Sequence, residues 1–342
     1  MVKIIPESRH PGSDIGNLEI FGYDSRIDYT GRAPLEASSM GVELEEDDIA
    51  FRCNFVRRDG DILVDYSAGH IATEKAHELI GLLSDALGTE AVRFYPGVSY
   101  RHLLVYRGGP DSLASYPPHD IMGQSIAEHL PNGEGAAKIR GLMEEAEEVL
   151  NLSSATEGSG ANAIWLWGSG RSLKLTSLRS KYGVGGGVIS AVDLVRGIGR
   201  SAGLEVIEVP GVTGYLDTNY AGKADYALTA LEQSDFVYVH VEAPDEAGHN
   251  GDPAAKVQAI EDFDGHVVGR ILEGISGDVR ILMSPDHRTP IELRTHSREP
   301  VPFVLWGSGF AADGMTEYSE AGAQKGSLQL ARGHEMMARL VA

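Results

Sequence analysis

The sequence is short of cysteine, of basic residues and of long apolar runs. Its lone cysteine, Cys53, excludes an internal disulfide framework and favours a reducing compartment, so we expect a cytoplasmic protein. No run of about 18 apolar residues is present, and residues 1–6 lack the apolar stretch of a signal peptide. Lys and Arg number 29 against 50 Asp and Glu, giving a net charge of -21. That charge argues against nonspecific nucleic-acid binding. We therefore expect neither a nucleic-acid nor a membrane partner, and the sequence is silent on oligomeric state.

Two apolar segments, 235–240 and 279–284, are each followed by residues that can ligate a metal. Such segments are typical of buried parallel strands, and ligands of open α/β sheets gather beyond strand ends. The candidates are Asp245, His249, Asp286, His287 and His296. Asp and His side chains suit Mn, Zn or Mg, and five of them at two strand ends indicate two metals and a phosphoryl-transfer enzyme. Taken singly, each is more often a hydrogen-bonded polar residue than a ligand.

The remaining pattern predicts an α/β protein with two domains. From about residue 160 onward, strands and helices alternate, which predicts a doubly wound, mostly parallel sheet. The predicted strands are 163–167, 204–209, 235–240, 279–284 and 302–306, and the predicted helices are 189–199 and 253–275. Residues 55–155 read as a smaller inserted α+β domain that covers the substrate, with strands at 61–66 and 98–106 and helices at 73–87 and 136–150. Residues 1–54 and 156–342 would then form the metal-binding core.

The N-terminal segment carries a candidate nucleophile. The pattern of residues 10–21 places Ser13 at the N-cap of a helix. A helix N-terminus stabilises negative charge, so this serine could act as an alkoxide and become a phosphoserine; the simpler alternative is a capping serine. Arg32 lies beside a glycine and could reach a phosphate or a carboxylate.

Several longer blocks resemble one family. They are residues 11–14, 29–37, 50–54, 117–121, 165–171, 214–223, 240–249 and 286–287. These blocks, spread over essentially the whole chain, are similar to those of the archaeal-type cofactor-independent (2,3-bisphosphoglycerate-independent) phosphoglycerate mutases. That family belongs to the alkaline phosphatase superfamily, so the resemblance implies an alkaline phosphatase-like core.

The resemblance also implies roles for single residues. Ser13 matches the family's phosphate-accepting serine. Asp245, His249 and His296 match the ligands of one divalent metal. Asp286 and His287 match the ligands of a second metal, which in the family also touches the serine at position 13. Substrate-binding positions are matched by Arg171, Arg101, His102, Arg32 and Lys223.

The implied reaction interconverts 3-phosphoglycerate and 2-phosphoglycerate through a phosphoserine at a two-metal site, as part of glycolysis and gluconeogenesis. The expected cofactors are two divalent ions, with Mn ahead of Mg, Zn or Co, and no 2,3-bisphosphoglycerate. Two alternatives stay open: a metal-dependent phosphomonoesterase of the same superfamily, and a noncatalytic relative that binds one ion or none.

One feature departs from the family. Its chains begin with a strand and an Asp-Gly segment whose aspartate completes the second metal site, whereas Glu7 is the only acid before Ser13 here. We expect the second site to lack one carboxylate and the sheet to lack one strand, with unpaired edges beside the gap. A start site placed too far downstream, or a chain cut there, would account for this, as would an inactive relative.

Overall fold

The computed structural model describes residues 1–111 and 113–342. They form two compact units: the central unit, 30–173, and the discontinuous unit, 1–29 with 174–342. These boundaries differ from the predicted ones at 54/55 and 155/156. The first predicted boundary falls inside strand β1, Asp48–Asp59, and β1 pairs with β5, Ala163–Arg171, along most of its length. Because the two strands share backbone hydrogen bonds, both belong to the central unit.

The central unit is built on an antiparallel sheet. Strand β1 pairs with β2 (Ile62–Asp65), β4 (Arg101–Arg107) and β5, and β3 (Val92–Tyr95) pairs with β4. Its helices are α3 (Arg32–Ser39), α4 (Thr73–Leu87) and α5 (Ala136–Leu152). Residues 163–167, predicted as a strand of the parallel core, thus lie in an antiparallel sheet, which corrects that assignment.

Helices α4 and α5 follow from the apolar periodicity of their sequences. Helix α4 buries Ala76, Leu79, Ile80 and Leu83, which recur every three or four residues and pack on the sheet. Helix α5 uses the same spacing, and both helices begin at the predicted residue. The predicted strands 61–66 and 98–106 correspond to β2 and β4.

The discontinuous unit contains a three-stranded parallel sheet and an antiparallel pair. The parallel strands, in the order β7-β6-β8, are β6 (Gly186–Ile189), β7 (Glu205–Val206) and β8 (Phe236–Val239). The antiparallel pair is β9 (Arg280–Met283) and β10 (Val304–Gly307). The helices are α1 (Ser13–Ile20), α2 (Ser25–Asp28), α6 (Leu178–Tyr182), α7 (Asp193–Ser201), α8 (Tyr220–Leu231), α9 (Ala243–Asn250), α10 (Pro253–Phe263), α11 (Arg270–Gly274), α12 (Glu320–Lys325) and α13 (Glu335–Val341). The protein is thus a mixed α/β protein, as predicted.

Several elements of this unit differ from the prediction. The predicted helix 189–199 begins only at Asp193, because residues 186–189 form β6. The predicted strand 204–209 shrinks to the two residues of β7, and the predicted helix 253–275 is interrupted by a π-helical segment, Asp264–Gly269. Strand β8 is half-buried rather than buried. Among the described residues, β8 and β9 each pair with a strand on one side only, which leaves their other edges without a strand partner.

The first residues of the chain are anchored before α1 begins. Val2 pairs with Val301 through the backbone, and Val2, Ile4 and Ile5 are buried in one apolar cluster with Phe303. This packing fixes the position of the segment that leads to Ser13. None of the helices in the described part of the chain has the length and apolarity needed to cross a membrane.

Candidate metal centre

The five predicted ligands all lie in the discontinuous unit, on segments that follow its strands. Helix α9 begins shortly after β8 and presents Asp245 and His249 one turn apart. Asp286 and His287 follow β9, and His296 lies in the same connection before β10. All five residues therefore follow a strand, but β9 pairs antiparallel with β10 and is not part of the parallel sheet in which the sequence predicts it.

Asp245 faces three imidazole rings. Its Oδ2 lies 3.3 Å from His249 Nε2, and its Oδ1 lies 3.4 Å from His296 Nε2 and 3.9 Å from His287 Nδ1. Burial alone would raise the pKa of Asp245, but hydrogen bonds from His249 and His296 and the charge of His287 outweigh burial and lower it. This carboxylate therefore stays ionised, the form that binds a cation.

Two of the rings point their Nε2 atoms at each other. His249 Nδ1 donates to the carbonyl of Arg294 at 3.0 Å, and His296 Nδ1 donates to the carbonyl of Pro11 at 3.4 Å. Each neutral ring then has a lone pair on Nε2, and these two atoms are 2.9 Å apart. Two such lone pairs repel each other unless a proton or a metal ion lies beside them. The hydrogen bond with Asp245 raises the pKa of His249 to about 8, so without a metal this ring holds a proton near neutral pH, which a bound ion would displace. The donor set therefore fits a cation.

Ser13 is brought to the same cluster, but not as an N-cap. The N-cap of α1 is Gly12, and Ser13 is the first helical residue, which corrects the predicted position by one. Its Oγ lies 3.0 Å from His287 Nε2, so the hydroxyl points at the ligand cluster instead of capping the helix. The position within the first turn still favours negative charge on this oxygen.

The side chains of the first predicted ligand set, Asp245, His249 and His296, lie 2.9 to 3.4 Å apart, and residues of the second set lie beside them. Among the described residues, Asp245, His287 and His296 each offer a ligand atom within 4.8 Å of the others, and this trio mixes the two sets. Asp286 lies beside it, with Oδ2 3.5 Å from His287 Nε2. One carboxylate with two imidazoles is a donor set that divalent first-row metals accept.

Sequence reasoning missed four residues around the cluster. Thr289 Oγ1 donates to Asp245 and lies 3.3 Å from His287 Nδ1. Burial lowers the pKa of His240, at the end of β8, to about 4, so its ring stays neutral. Asn17 donates to Asp286 Oδ2 and accepts from the Tyr238 hydroxyl. Two of these residues could have been found from the sequence: His240 lies at a strand end, and Asn17 lies four residues after Ser13. No sequence pattern indicates Thr289 or Tyr238.

The predicted substrate-binding residues are divided between the units. Lys223, on α8, is fully buried, donates to the carbonyl of His240 at 2.8 Å, and has its pKa lowered to about 8 by burial. The other four lie in the central unit: Arg32, Arg101, His102 and Arg171. His102 is buried, accepts from the backbone N–H of Gly97 at 3.0 Å, and has its pKa lowered to about 3 by burial. Burial of Lys223 and His102 favours support of the backbone over contact with a substrate.

The exposed arginines of the central unit have partners of their own. Arg171 pairs with Asp111 at 2.8 Å and donates to the carbonyl of Glu46 at 3.2 Å. Arg101 is exposed and lies over the ring of Tyr100 at 5.8 Å.

The prediction missed Arg52, which lies near Arg32 and Arg101. Its buried guanidinium pairs with Glu36 at 2.9 Å and stacks on Trp167 at 4.5 Å, and Arg32 lies 5.7 Å from the same ring. Burial lowers the pKa of Arg52 to about 10; Glu36 opposes that shift, while Arg32 and Arg101 add to it. Two guanidinium groups, those of Arg32 and Arg52, thus pair with the single carboxylate of Glu36, and the charge of Arg101 acts on Arg52 as well. This cationic excess suits an anionic ligand.

Comparison with known proteins identifies the family. Residues 1–155 match the family model of 2,3-bisphosphoglycerate-independent phosphoglycerate mutase. A probable 2,3-bisphosphoglycerate-independent phosphoglycerate mutase of Geobacter sulfurreducens is 51% identical, over 98% of this chain and 88% of the relative. A 2,3-bisphosphoglycerate-independent phosphoglycerate mutase of Methanosarcina acetivorans is 49% identical, over 100% of this chain and 89% of the relative. The chain belongs to the family of 2,3-bisphosphoglycerate-independent phosphoglycerate mutases, which confirms the resemblance found in the sequence.

Solved structures agree with this fold. A protein of Pyrococcus horikoshii is similar with a TM-score of 0.78 and 28% identity, over 97% of this chain and 83% of that one. The cofactor-independent phosphoglycerate mutase of Thermoplasma acidophilum is similar in fold, with a TM-score of 0.64 and 24% identity, over 97% of this chain and 86% of that one.

Proposed function

We propose that the protein is an isomerase that interconverts 3-phosphoglycerate and 2-phosphoglycerate without 2,3-bisphosphoglycerate. The observation that carries this proposal is the 51% identity to a probable mutase over 98% of the chain. The placement of Ser13 Oγ 3.0 Å from His287 Nε2, inside a cluster of candidate ligands, supports it.

Ser13 is the proposed nucleophile. Its Oγ loses its proton and forms a bond to phosphorus while the bond from phosphorus to the glycerate oxygen breaks. That oxygen takes up a proton, which leaves a phosphoserine and bound glycerate. The other glycerate hydroxyl then attacks the phosphoserine, and the Ser13 hydroxyl is regenerated. That hydroxyl lies beside His287 Nε2, and the position of Ser13 in the first turn of α1 stabilises the charge that develops on its oxygen.

Two divalent ions are the proposed cofactors, with Mn ahead of Mg, Zn or Co. Asp245, His249 and His296 would hold one ion, and Asp286 and His287 the other. The ionised Asp245 and the facing Nε2 atoms of His249 and His296 support the first assignment. A bound divalent ion supplies Lewis acidity, which lowers the pKa of a hydroxyl and offsets charge on phosphoryl oxygens.

The anionic groups of the substrate require cationic side chains. We propose Arg32, Arg101 and Arg171 for this role and add Arg52, which is buried and would act by holding Arg32, because the two share the Trp167 ring and Glu36. Arg52 and Arg32 are ordered by Glu36, so both guanidinium groups are held before a ligand arrives. Lys223 and His102 would instead support the backbone that carries the neighbouring residues.

At the level of the fold, we propose an alkaline phosphatase-like doubly wound core into which the central unit is inserted. The parallel order β7-β6-β8 and the α/β alternation after residue 174 support this assignment. The lone cysteine is consistent with work in the cytoplasm.

An enolase-coupled assay tests the proposed function. The chain, with added Mn²⁺ and no 2,3-bisphosphoglycerate, should convert 3-phosphoglycerate to 2-phosphoglycerate, and Ser13→Ala should remove that turnover. Phosphate release is followed in parallel. If phosphate appears faster than 2-phosphoglycerate, the protein is a phosphomonoesterase and not a mutase. If folded, metal-loaded protein forms neither product, the proposal is contradicted.

A further inference from the structure

Asn17 occupies a fully buried position one helical turn after Ser13. Its Nδ2 donates to the Ser13 carbonyl at 2.9 Å and to Asp286 Oδ2 at 2.8 Å. Its Oδ1 accepts from the Tyr238 hydroxyl at 2.6 Å. Both amide hydrogens and the amide oxygen are therefore engaged, and each bond leads to a different element: α1, β8 and the segment after β9.

The bond to Asp286 completes the orientation of that carboxylate. Asp286 Oδ1 accepts from the backbone N–H of His287 at 3.0 Å, and Oδ2 accepts from Asn17. With one donor on each oxygen, the plane of the carboxylate is fixed. Groups that hydrogen-bond a metal-binding carboxylate set its direction and its basicity.

The bond to Tyr238 fixes Asn17 in turn. The Tyr238 ring stacks on Phe21 with a centroid distance of 4.3 Å, and burial raises the pKa of its hydroxyl, so the hydroxyl remains a donor. Because the Tyr238 hydroxyl donates to Oδ1 of Asn17, the amide is oriented with its Nδ2 toward Ser13 and Asp286. A buried amide with every polar atom satisfied is rigid, because any rotation would leave a polar atom unpaired.

The backbone brings α1 close enough for these bonds. A Cβ on Gly16 would lie 2.6 Å from the carbonyl oxygen of Asp286, so α1 touches the Asp286 segment at this glycine. Asn17 is the next residue along the helix, and its side chain reaches Asp286 at the same place.

We propose that Asn17 is a positioning residue, which holds the Asp286 carboxylate and the Ser13 turn in one fixed relation so that both act at the same cation. The Ser13 half of this statement rests on the proposed function; the Asp286 half concerns cation binding alone. Asn17 touches no reacting atom, so it acts through Ser13 and Asp286.

The test compares Asn17→Leu, which keeps the shape but removes the amide, with Tyr238→Phe and with Ile15→Val as the matched control on α1. Mn²⁺ binding to the chelator-stripped protein is measured by calorimetry, and kcat and KM are measured separately. Asn17→Leu should weaken the binding of one Mn²⁺ about 10- to 100-fold and lower kcat by a similar factor, with KM for 3-phosphoglycerate little changed. Tyr238→Phe removes one bond at a distance, so its loss should be about 3- to 10-fold. Ile15→Val should leave Mn²⁺ binding unchanged.

Unchanged Mn²⁺ binding in folded Asn17→Leu protein would overturn the proposal, as would a loss of the same size in Ile15→Val. If Asn17→Leu does not fold, Asn17→Ala and Tyr238→Phe decide by the same titration. The titration needs no turnover. A wild type without mutase activity whose Mn²⁺ binding still depends on Asn17 would contradict the proposed function and leave the Asp286 half of this inference standing.

Discussion

The hydroxyl of Ser13 lies 3.0 Å from Nε2 of His287, although 274 positions separate the two residues along the chain. This contact joins the first turn of α1 to the segment after β9, where Asp286 also lies. It places a candidate nucleophile at a cluster of carboxylate and imidazole groups.

Removal of either candidate carboxylate should weaken metal binding. Wild-type protein is expected to bind two Mn²⁺ ions per chain, and Asp245→Asn and Asp286→Asn should each reduce the affinity for one ion about 10- to 100-fold. Calorimetric titration measures both stoichiometry and affinity. Asp85→Asn, at an exposed position on α4, is the control. A wild type that binds one ion or none would instead favour the noncatalytic relative.

Gly16→Ala should damage the candidate metal centre. The new Cβ would lie 2.6 Å from the Asp286 carbonyl oxygen and 2.8 Å from the Asp286 Cβ, so α1 or the Asp286 segment must move. We expect about 1–3 kcal/mol of destabilisation together with weaker Mn²⁺ binding. The matched control is Gly81→Ala on α4, where a Cβ would meet nothing within 4 Å. Helix propensity should make that control neutral or slightly more stable. Equal behaviour of the two variants in the Mn²⁺ titration would contradict the prediction.

Lys223 should impose a pH dependence on stability. Its pKa falls from 10.5 to about 8 on folding, because burial disfavours the charged form. Between these values the unfolded chain binds the proton and the folded chain does not, so the free energy of unfolding rises with pH from about 8 to 10.5. Below pH 8 the buried charge costs about 3 kcal/mol. Lys223→Met should flatten this rise when melting temperatures are compared across that range. The same slope in both proteins would show that Lys223 does not titrate there.

Arg52→Lys should weaken substrate binding while keeping the charge. Lysine cannot reproduce the planar contact with Trp167 together with the pairing to Glu36. We expect KM for 3-phosphoglycerate to rise at least about tenfold, which corresponds to the loss of one charge-assisted hydrogen bond. Arg57→Lys, at an exposed position of the same strand, is the control. If KM stays within the range of that control, Arg52 has a role in stability only.

Sequence patterns predicted the elements whose signal is local. Helices α4 and α5 begin at their predicted residues because apolar side chains recur at helical spacing. The segments after β8 and β9 were recognised because Asp and His follow apolar strands. Strand β1 was missed, since it is buried over nine residues yet carries Asp48, Arg52 and Asn54. Those polar residues are compatible with a strand only through partners such as Arg93 and Glu36, which lie far along the chain or on another element.

The candidate site was predicted as a set of residues and not as a geometry. Residue types identified Asp245, His249, Asp286, His287 and His296, but pairing among them depends on the approach of segments distant in sequence. One trio within metal-binding reach, Asp245, His287 and His296, draws on both predicted sets. Asn17 and Tyr238 were missed for the same reason, because an amide and a phenol carry no chemical signature until their partners are known.

The central claim is that Ser13 carries the phosphoryl group, and rapid-quench mass spectrometry tests it most directly. The metal-loaded protein is mixed with 3-phosphoglycerate, quenched in acid within the first turnover, and digested. The account predicts one phosphoryl group on the peptide that contains Ser13, and none in Ser13→Ala protein. Turnover to 2-phosphoglycerate without phosphorylation of that peptide, or with phosphate on another residue, would contradict the account.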